Sequence, residues 1–205
     1  MLAIEVENVA RRYGRRWALA GVSFTAEKGS VVMVAGRNGS GKTTLLRVLA
    51  TAIRPDAGTA RVAGFDVVHD REDVRKASAL LSHASYLYDA LSPRENLSLI
   101  VRDGQRIDGM LERVGLLARA DDVVATFSAG MRKRLSFARI LLQDASVVML
   151  DEPYGQLDPE GFALVDAVIG ELKSRGVTVV IATHQVEHVT NLADVVITLE
   201  GGRII

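Results

Sequence analysis

The chain has 205 residues, 48% hydrophobic and 24% charged, a size and balance that suit a soluble globular protein with a real core. Lys+Arg and Asp+Glu number 25 each, so the basic excess typical of nucleic-acid binders is missing and no nucleic-acid partner is expected. Cysteine is absent, which excludes disulfides, Cys-ligated zinc and cysteine nucleophiles. No apolar run reaches bilayer length, and Met1-Leu2-Ala3-Ile4-Glu5-Val6-Glu7 alternates like a strand rather than reading as a signal peptide. A cytoplasmic location, soluble or peripheral, is therefore expected.

Residues 2–8 and about 17–26 alternate apolar and polar, predicting two antiparallel strands of a small β-layer. Tyr13-Gly14 lies between them. Should the glycine-rich stretch at residues 36–44 bind phosphate, an aromatic ring in a turn ahead of it can stack on a nucleotide base, because any base offers a π-face. We assign Tyr13 that contact, and read Trp17 as packing under the β-layer.

Val31-Val32-Met33-Val34-Ala35 is an apolar run that reads as a buried strand, followed by Gly36-Arg37-Asn38-Gly39-Ser40-Gly41-Lys42-Thr43-Thr44 and a helical pattern over residues 45–50. Strand, glycine-rich turn, Lys-Thr and helix make the phosphate-binding pattern G-x-x-x-x-G-K-[ST]. Glycines let backbone N–H groups converge on an anion, and the helix start adds its positive dipole end. Gly36, Asn38, Gly39, Ser40, Gly41 and Thr44 are thus the predicted cradle. Lys42 can reach the β- and γ-phosphates, and Thr43 can offer its hydroxyl to Mg²⁺. The pattern predicts a Mg-nucleotide site.

Beyond the loop, residues 54–58 form a turn and 59–63 a short strand ended by Gly64. Residues 71–77 form a short helix, 79–82 an apolar strand and 83–91 a loop. Ser92-Pro93-Arg94-Glu95 starts a capped helix, and the pattern stays helical to about residue 143. We read 93–143 as a helical insert between core segments 1–92 and 144–205 of a single domain. Ile107–Val114 has helical spacing, and Ser128 caps a helix over 129–142.

Val147-Val148-Met149-Leu150 is a buried strand with Asp151 and Glu152 emerging at its C-terminal end, where ligands of open α/β sheets bind. Asp151 suits the Mg²⁺ shell, and Glu152 is placed to orient and deprotonate an attacking water. Asp158 caps and Pro159 begins a helix to about Ser174. Strand 177–182 ends in Thr183-His184-Gln185, which puts His184 at the γ-phosphate end of the sheet. Residues 195–199 form a last strand, and Gly201-Gly202-Arg203 a hairpin turn. Strands alternating with helices predict an α/β fold with a mostly parallel sheet and right-handed crossovers.

Over nearly its whole length the chain resembles the nucleotide-binding subunit of an ATP-binding-cassette (ABC) ATPase. The resemblance rests on five motifs in order. Residues 36–44 match Walker A, Ser128-Ala129-Gly130-Met131 the signature, 147–152 Walker B with its glutamate, Gly155–Asp158 the D-loop, and His184 the switch histidine. It implies a P-loop NTPase core with an N-terminal antiparallel β-layer and a helical insert. It also implies MgATP hydrolysis in a head-to-tail dimer, each ATP lying between Walker A of one copy and Ser128 and Gly130 of the other, with Asp158 in the D-loop. A separate membrane permease subunit would be the transport partner.

Two departures from the family pattern and the wording of the switch stand out. Counting back from Arg94-Glu95-Asn96-Leu97 puts His83 where the family usually has the Q-loop glutamine, the signature reads Phe-Ser-Ala-Gly-Met, and the switch reads Thr-His-Gln. With the short chain, these are similar to the ATP-binding subunit of the haem exporter of cytochrome c maturation. The alternative is an ABC ATPase acting on the ribosome or DNA. Such proteins usually carry two cassettes, coiled coils or cysteine-rich inserts, none of which is present.

Overall fold

The computed structural model describes residues 1–82 and 86–205, apart from the side chain of His188. In chain order it contains β1 (Leu2–Tyr13), β2 (Arg16–Glu27), β3 (Val31–Ala35), α1 (Lys42–Leu49), β4 (Ala57–Val62), β5 (Phe65–Asp66), α2 (Arg71–Ala77), β6 (Ser78–Leu81), α3 (Pro93–Ser98) and α4 (Gly104–Arg113). After two short 3₁₀ turns come α5 (Ala129–Leu142), β7 (Val147–Asp151), α6 (Pro159–Ser174), β8 (Thr178–Thr183), α7 (Val186–Val189), β9 (Val195–Glu200) and β10 (Arg203–Ile204).

The chain divides into two units, the first being Met1–Ser82, Ala145–Pro153 and Ile169–Ile205. It carries both sheets. A four-stranded antiparallel layer has the order β2-β1-β4-β5. A six-stranded sheet has the order β10-β9-β3-β8-β7-β6 and is parallel except for β10. The α/β class, the mostly parallel sheet and the N-terminal antiparallel layer all match the expectation.

β3 is buried at every residue and lies between β8 and β9. A strand covered on both faces needs a continuous apolar run rather than alternation, and Val31–Ala35 supplies it. α1 packs Leu45, Leu46, Val48 and Leu49 into one core with Val32 and Val34 of β3, Met149 of β7, Val180 of β8 and Ile4 and Leu19 of the antiparallel layer. Each such leucine contributes about 1.5–3 kcal/mol by leaving water. The helix starting at Lys42 is therefore fixed against both sheets.

Several boundaries differ from the sequence reading. β1 and β2 run on to a tight hairpin at Gly14-Arg15, beyond the predicted 2–8 and 17–26. Alternation fails after residue 8 because Asn8 takes a φ of 50° and the register shifts between Val6 and Val9. Such a bulge breaks the period of two without ending the strand. α1 begins at Lys42, earlier than 45, and β4 begins at Ala57, earlier than 59. The two-residue strands β5 and β10 are too short to leave a pattern.

Asp194 ties the start of β3 in place. Its Oδ2 accepts from Val31 N at 2.9 Å and its Oδ1 from Lys173 Nζ at 2.6 Å. The Lys173 contact first, then the Val31 amide, holds its carboxyl below the usual carboxylate range. A depressed folded-state pKa contributes stability above the unfolded value of about 3.9, and that stability is lost as pH falls through the folded value. Hence the Tm gap between wild type and Asp194→Asn should be open at pH 7 and should close as melts are taken below about pH 4. A constant gap would remove ionisation of Asp194 as its cause.

The second unit comprises residues 83–144 and 154–168. It is wider than the predicted insert of 93–143 because Leu164, in the first half of α6, packs on the helical core. That core joins Leu97 of α3, Ile107 and Leu111 of α4, and Leu135, Ala138 and Leu142 of α5. Its helix starts are locally encoded. Ser92 and Glu95 form a capping box, the Asp103 carboxylate accepts from two amides of α4, and the Ser128 hydroxyl accepts from Met131 N at 3.2 Å.

Candidate nucleotide site

The loop between β3 and α1 is held by backbone on two sides. A Cβ on Gly36 would lie 2.3 Å from Leu199 O, and one on Gly41 would lie 2.3 Å from Ala18 O. Both residues have positive φ, at 146° and 113°. Only glycine fits such a path. Gly202 N donates to Ser40 O at 3.0 Å and Ala20 N to Gly202 O at 2.8 Å, so β2, the loop and the β9–β10 turn form one hydrogen-bonded stack.

A cavity of about 340 Å³ opens on this loop, lined by Tyr13, Asn38, Gly39, Gly41, Lys42, Thr43, Thr44 and Glu152. Gly36 and Ser40 line a second cavity of about 320 Å³ with Thr198–Gly201 and Ile205. Lys42 is 6% exposed. Its Nζ donates to Gly36 O at 2.7 Å and Arg37 O at 3.3 Å, and lies 3.7 Å from Glu152 Oε1. A nearly buried ammonium resting on two carbonyls is a cation ready to exchange them for phosphate oxygens. The Ser40 hydroxyl is buried with no hydrogen-bond partner, an unsatisfied group within the loop.

Thr43 Oγ1 donates to Asp151 Oδ1 at 3.0 Å, and Asp151 is 2% exposed at the end of β7. A hydroxyl and a carboxylate converging beside a phosphate loop are hard oxygen donors of the kind Mg²⁺ takes, with phosphates and waters completing its shell. The donor set therefore fits Mg²⁺. Among the described residues no group of three His, Cys, Asp or Glu forms a richer cation site.

Glu152 follows with φ of 47° and its N donating to Ala182 O at 2.8 Å. Its Oε2 accepts from Thr183 Oγ1 at 3.1 Å and His184 N at 3.3 Å, and lies 2.9 Å from His184 Nδ1. β7 and β8 are parallel neighbours, so their C-terminal ends bring Asp151, Glu152, Thr183 and His184 together. Thr183 was not foreseen as a site residue, although it directly precedes His184 in the sequence.

Tyr13 lines the cavity at 49% exposure. Trp17 does not pack under the β-layer. It is 50% exposed, with the Arg12 guanidinium 5.7 Å from its ring. The reason is register: β1 pairs with β4 only as far as Ala10↔Ala57, and the Arg12↔Trp17 pair lies beyond that cover.

Ser128, Gly130 and Asp158 belong to the second unit. A Cβ on Gly130 would lie 3.3 Å from Gln156 O. Asp158 Oδ1 accepts from Gly161 N at 2.8 Å, capping α6, and from Arg134 Nη2 at 3.1 Å. The Gly161 amide, with Arg134, holds the Asp158 carboxyl below its ordinary range. His83 lies outside the described residues.

Comparison with known proteins agrees with this geometry. Residues 19–155 match the ABC transporter family. The chain is 39% identical over 211 residues to the daunorubicin resistance ATP-binding protein DrrA3 of Streptomyces coeruleorubidus, covering 99% of this chain and 67% of the relative. It is 34% identical to the ABC transporter ATP-binding protein NatA of Bacillus subtilis, covering 92% and 80%. It is 35% identical to the phosphonates import ATP-binding protein PhnC of Frankia casuarinae, covering 100% and 89%. The chain thus spans about two thirds of the drug-resistance relative's length. A solved ATP-binding subunit of an ABC transporter superposes with a TM-score of 0.91 at 24% identity, covering 98% of this chain and 88% of that one. A cassette dimer bound to ADP and Pi superposes with a TM-score of 0.89 at 22% identity, covering 98% and 96%. The chain belongs to the ABC transporter family and carries its ATP-binding, ATP-hydrolysing domain.

Proposed function

We propose that the two units work as one ABC ATPase domain that drives transport through a separate integral membrane subunit, docked on the cytoplasmic face of the membrane. The observation that carries this reading is the meeting of Lys42, Thr43 and Glu152 at one cavity, with Asp151 hydrogen-bonded to Thr43 and His184 beside Glu152. Lys42 exchanges its loop carbonyls for β- and γ-phosphate oxygens. Gly36, Asn38, Gly39, Ser40, Gly41 and Thr44 complete the cradle, and Tyr13 stacks on the base. Thr43 and Asp151 would hold Mg²⁺, which when bound neutralises charge on the phosphates.

Glu152 takes a proton from the water that attacks the γ-phosphorus. His184, within hydrogen-bond reach of Glu152, contacts the γ-phosphate. The bond from phosphorus to the bridging oxygen breaks, giving ADP and inorganic phosphate. A second copy of the chain supplies Ser128 and Gly130, whose capped helix start is a second anion-binding N-terminus. Asp158 lies in the D-loop of that dimer. His83 takes the place of the Q-loop glutamine.

The cargo is the finer part of the reading. His83, Ser128-Ala129-Gly130 and Thr183-His184-Gln185 support haem export, whereas the relatives' names support drugs or phosphonates. The deciding experiment is purification of tagged Glu152→Gln protein from detergent-solubilised membranes of its own cell, with MgATP present. Co-purification of a multi-spanning membrane protein is expected, and its spectrum with bound haem separates haem from other cargo. Recovery of ribosomes or nucleic acid instead would overturn transport and leave the ATPase assignment standing.

A further inference from the structure

We infer that Arg11 and Asp56 form a brace that holds the Tyr13 ring in position as the base platform of the nucleotide cavity. The inference rests on the assignment of Tyr13 to the base made above. Arg11 and Asp56 are positioning residues, acting through Tyr13.

The Arg11 guanidinium lies over the Tyr13 ring, 5.2 Å from its centroid. Arg11 is itself held, because its Nη1 donates to Asp56 Oδ1 at 3.0 Å. The other carboxylate oxygen of Asp56 accepts from Arg12 N at 2.8 Å, and Asp56 N donates to Ala10 O at 2.8 Å. One residue just ahead of β4 therefore grips three successive residues of β1: Ala10, Arg11 and Arg12.

The grip falls where it is needed. Pairing of β1 with β4 ends at Ala10↔Ala57, so Tyr13 stands on a two-stranded tip, paired only with Arg16 of β2. A half-exposed ring there would be free to change rotamer, and ordering it on binding would cost affinity. A guanidinium fixed on one face pre-places the ring by cation–π attraction and leaves the other face for a base. The Arg11 Nε is buried without a hydrogen-bond partner. The side chain thus keeps its place over the ring at the expense of full hydrogen bonding.

The test uses the whole chain and titration calorimetry with two probes, MgADP and magnesium pyrophosphate. The second carries phosphates without a base. Tyr13→Ala should weaken MgADP about tenfold, as loss of one stacked base does. Arg11→Ala should weaken it roughly two- to fivefold, the scale of an exposed cation–π contact. Pyrophosphate affinity should be unchanged in both. Arg11→Lys should recover part of the loss, and the double variant Tyr13→Ala/Arg11→Ala should be no weaker than Tyr13→Ala alone, because the brace acts only through the ring. Asp56→Asn, which keeps the shape and an acceptor, gives a second measure should Arg11→Ala not fold. Equal losses for both probes, or additive losses in the double variant, would overturn the brace. A loss in Tyr13→Ala with none in Arg11→Ala and Asp56→Asn overturns the brace alone. An unchanged MgADP affinity in Tyr13→Ala overturns the base-platform assignment with it.

Discussion

ATP hydrolysis by a Glu152→Gln protein should fall roughly a hundredfold or more, while MgATP binding is retained. The argument begins with what glutamine preserves. Its amide oxygen can still accept from Thr183 Oγ1, now 3.1 Å from Glu152 Oε2, and the backbone link from residue 152 N to Ala182 O is untouched. The capacity to take a proton from water is lost, together with the negative charge that faces Lys42 Nζ at 3.7 Å. The φ of 47° at this position costs on the order of 1–3 kcal/mol for a residue with a side chain. The surrounding donors hold Glu152 there, at the rim of the phosphate cavity. Single-turnover hydrolysis and nucleotide affinity, measured on the same preparation, separate the two effects. Hydrolysis at the wild-type rate would remove Glu152 from the role of base.

Lys42→Ala should have the other large effect, on binding. Lys42 is nearly buried, and its ammonium lies among Gly36 O, Arg37 O and Glu152 Oε1. Removing one partner of a buried, hydrogen-bonded charge contact costs about 2–5 kcal/mol, which corresponds to roughly thirtyfold or more in Kd for MgATP. Part of that figure is the cost of leaving phosphate charge unmatched in the cavity. The fold should survive, since α1 is anchored by Leu45, Leu46, Val48 and Leu49. A Kd unchanged within twofold, in a protein with a normal melting curve, would contradict the phosphate role of Lys42.

The site was legible in the sequence where chemistry and spacing coincide. Gly36–Thr44 sits between a fully apolar strand and a helix, and Asp151-Glu152 ends another apolar strand, so period and punctuation mark both. The cap at Ser128 and the box at Ser92 and Glu95 were legible because their partners lie three residues away. What escaped depends on distant pairing. Arg11 and Asp56 are 45 residues apart, and Thr183 and Glu152 are 31 apart. Nothing in the local pattern joins them. Trp17 was misread because its burial depends on how far β4 extends along β1, which is set by register rather than composition. The helical unit proved wider than its own stretch of chain because Leu164 completes its core from beyond β7.

The fit of the phosphate loop has a genetic consequence. Any base change that alters a glycine codon either adds a side-chain carbon or stops the chain. At Gly36 and Gly41 that carbon would lie 2.3 Å from the carbonyl oxygens of Leu199 and Ala18, in segments that build the two sheets. Substitution there is thus blocked by the architecture before nucleotide chemistry is tested. Lys42 carries no such clash, and Glu152 carries only the milder demand of its φ of 47°. In a lineage that gave up ATP, the glycines would persist as a record of the fold, and the lysine and glutamate would be free to drift.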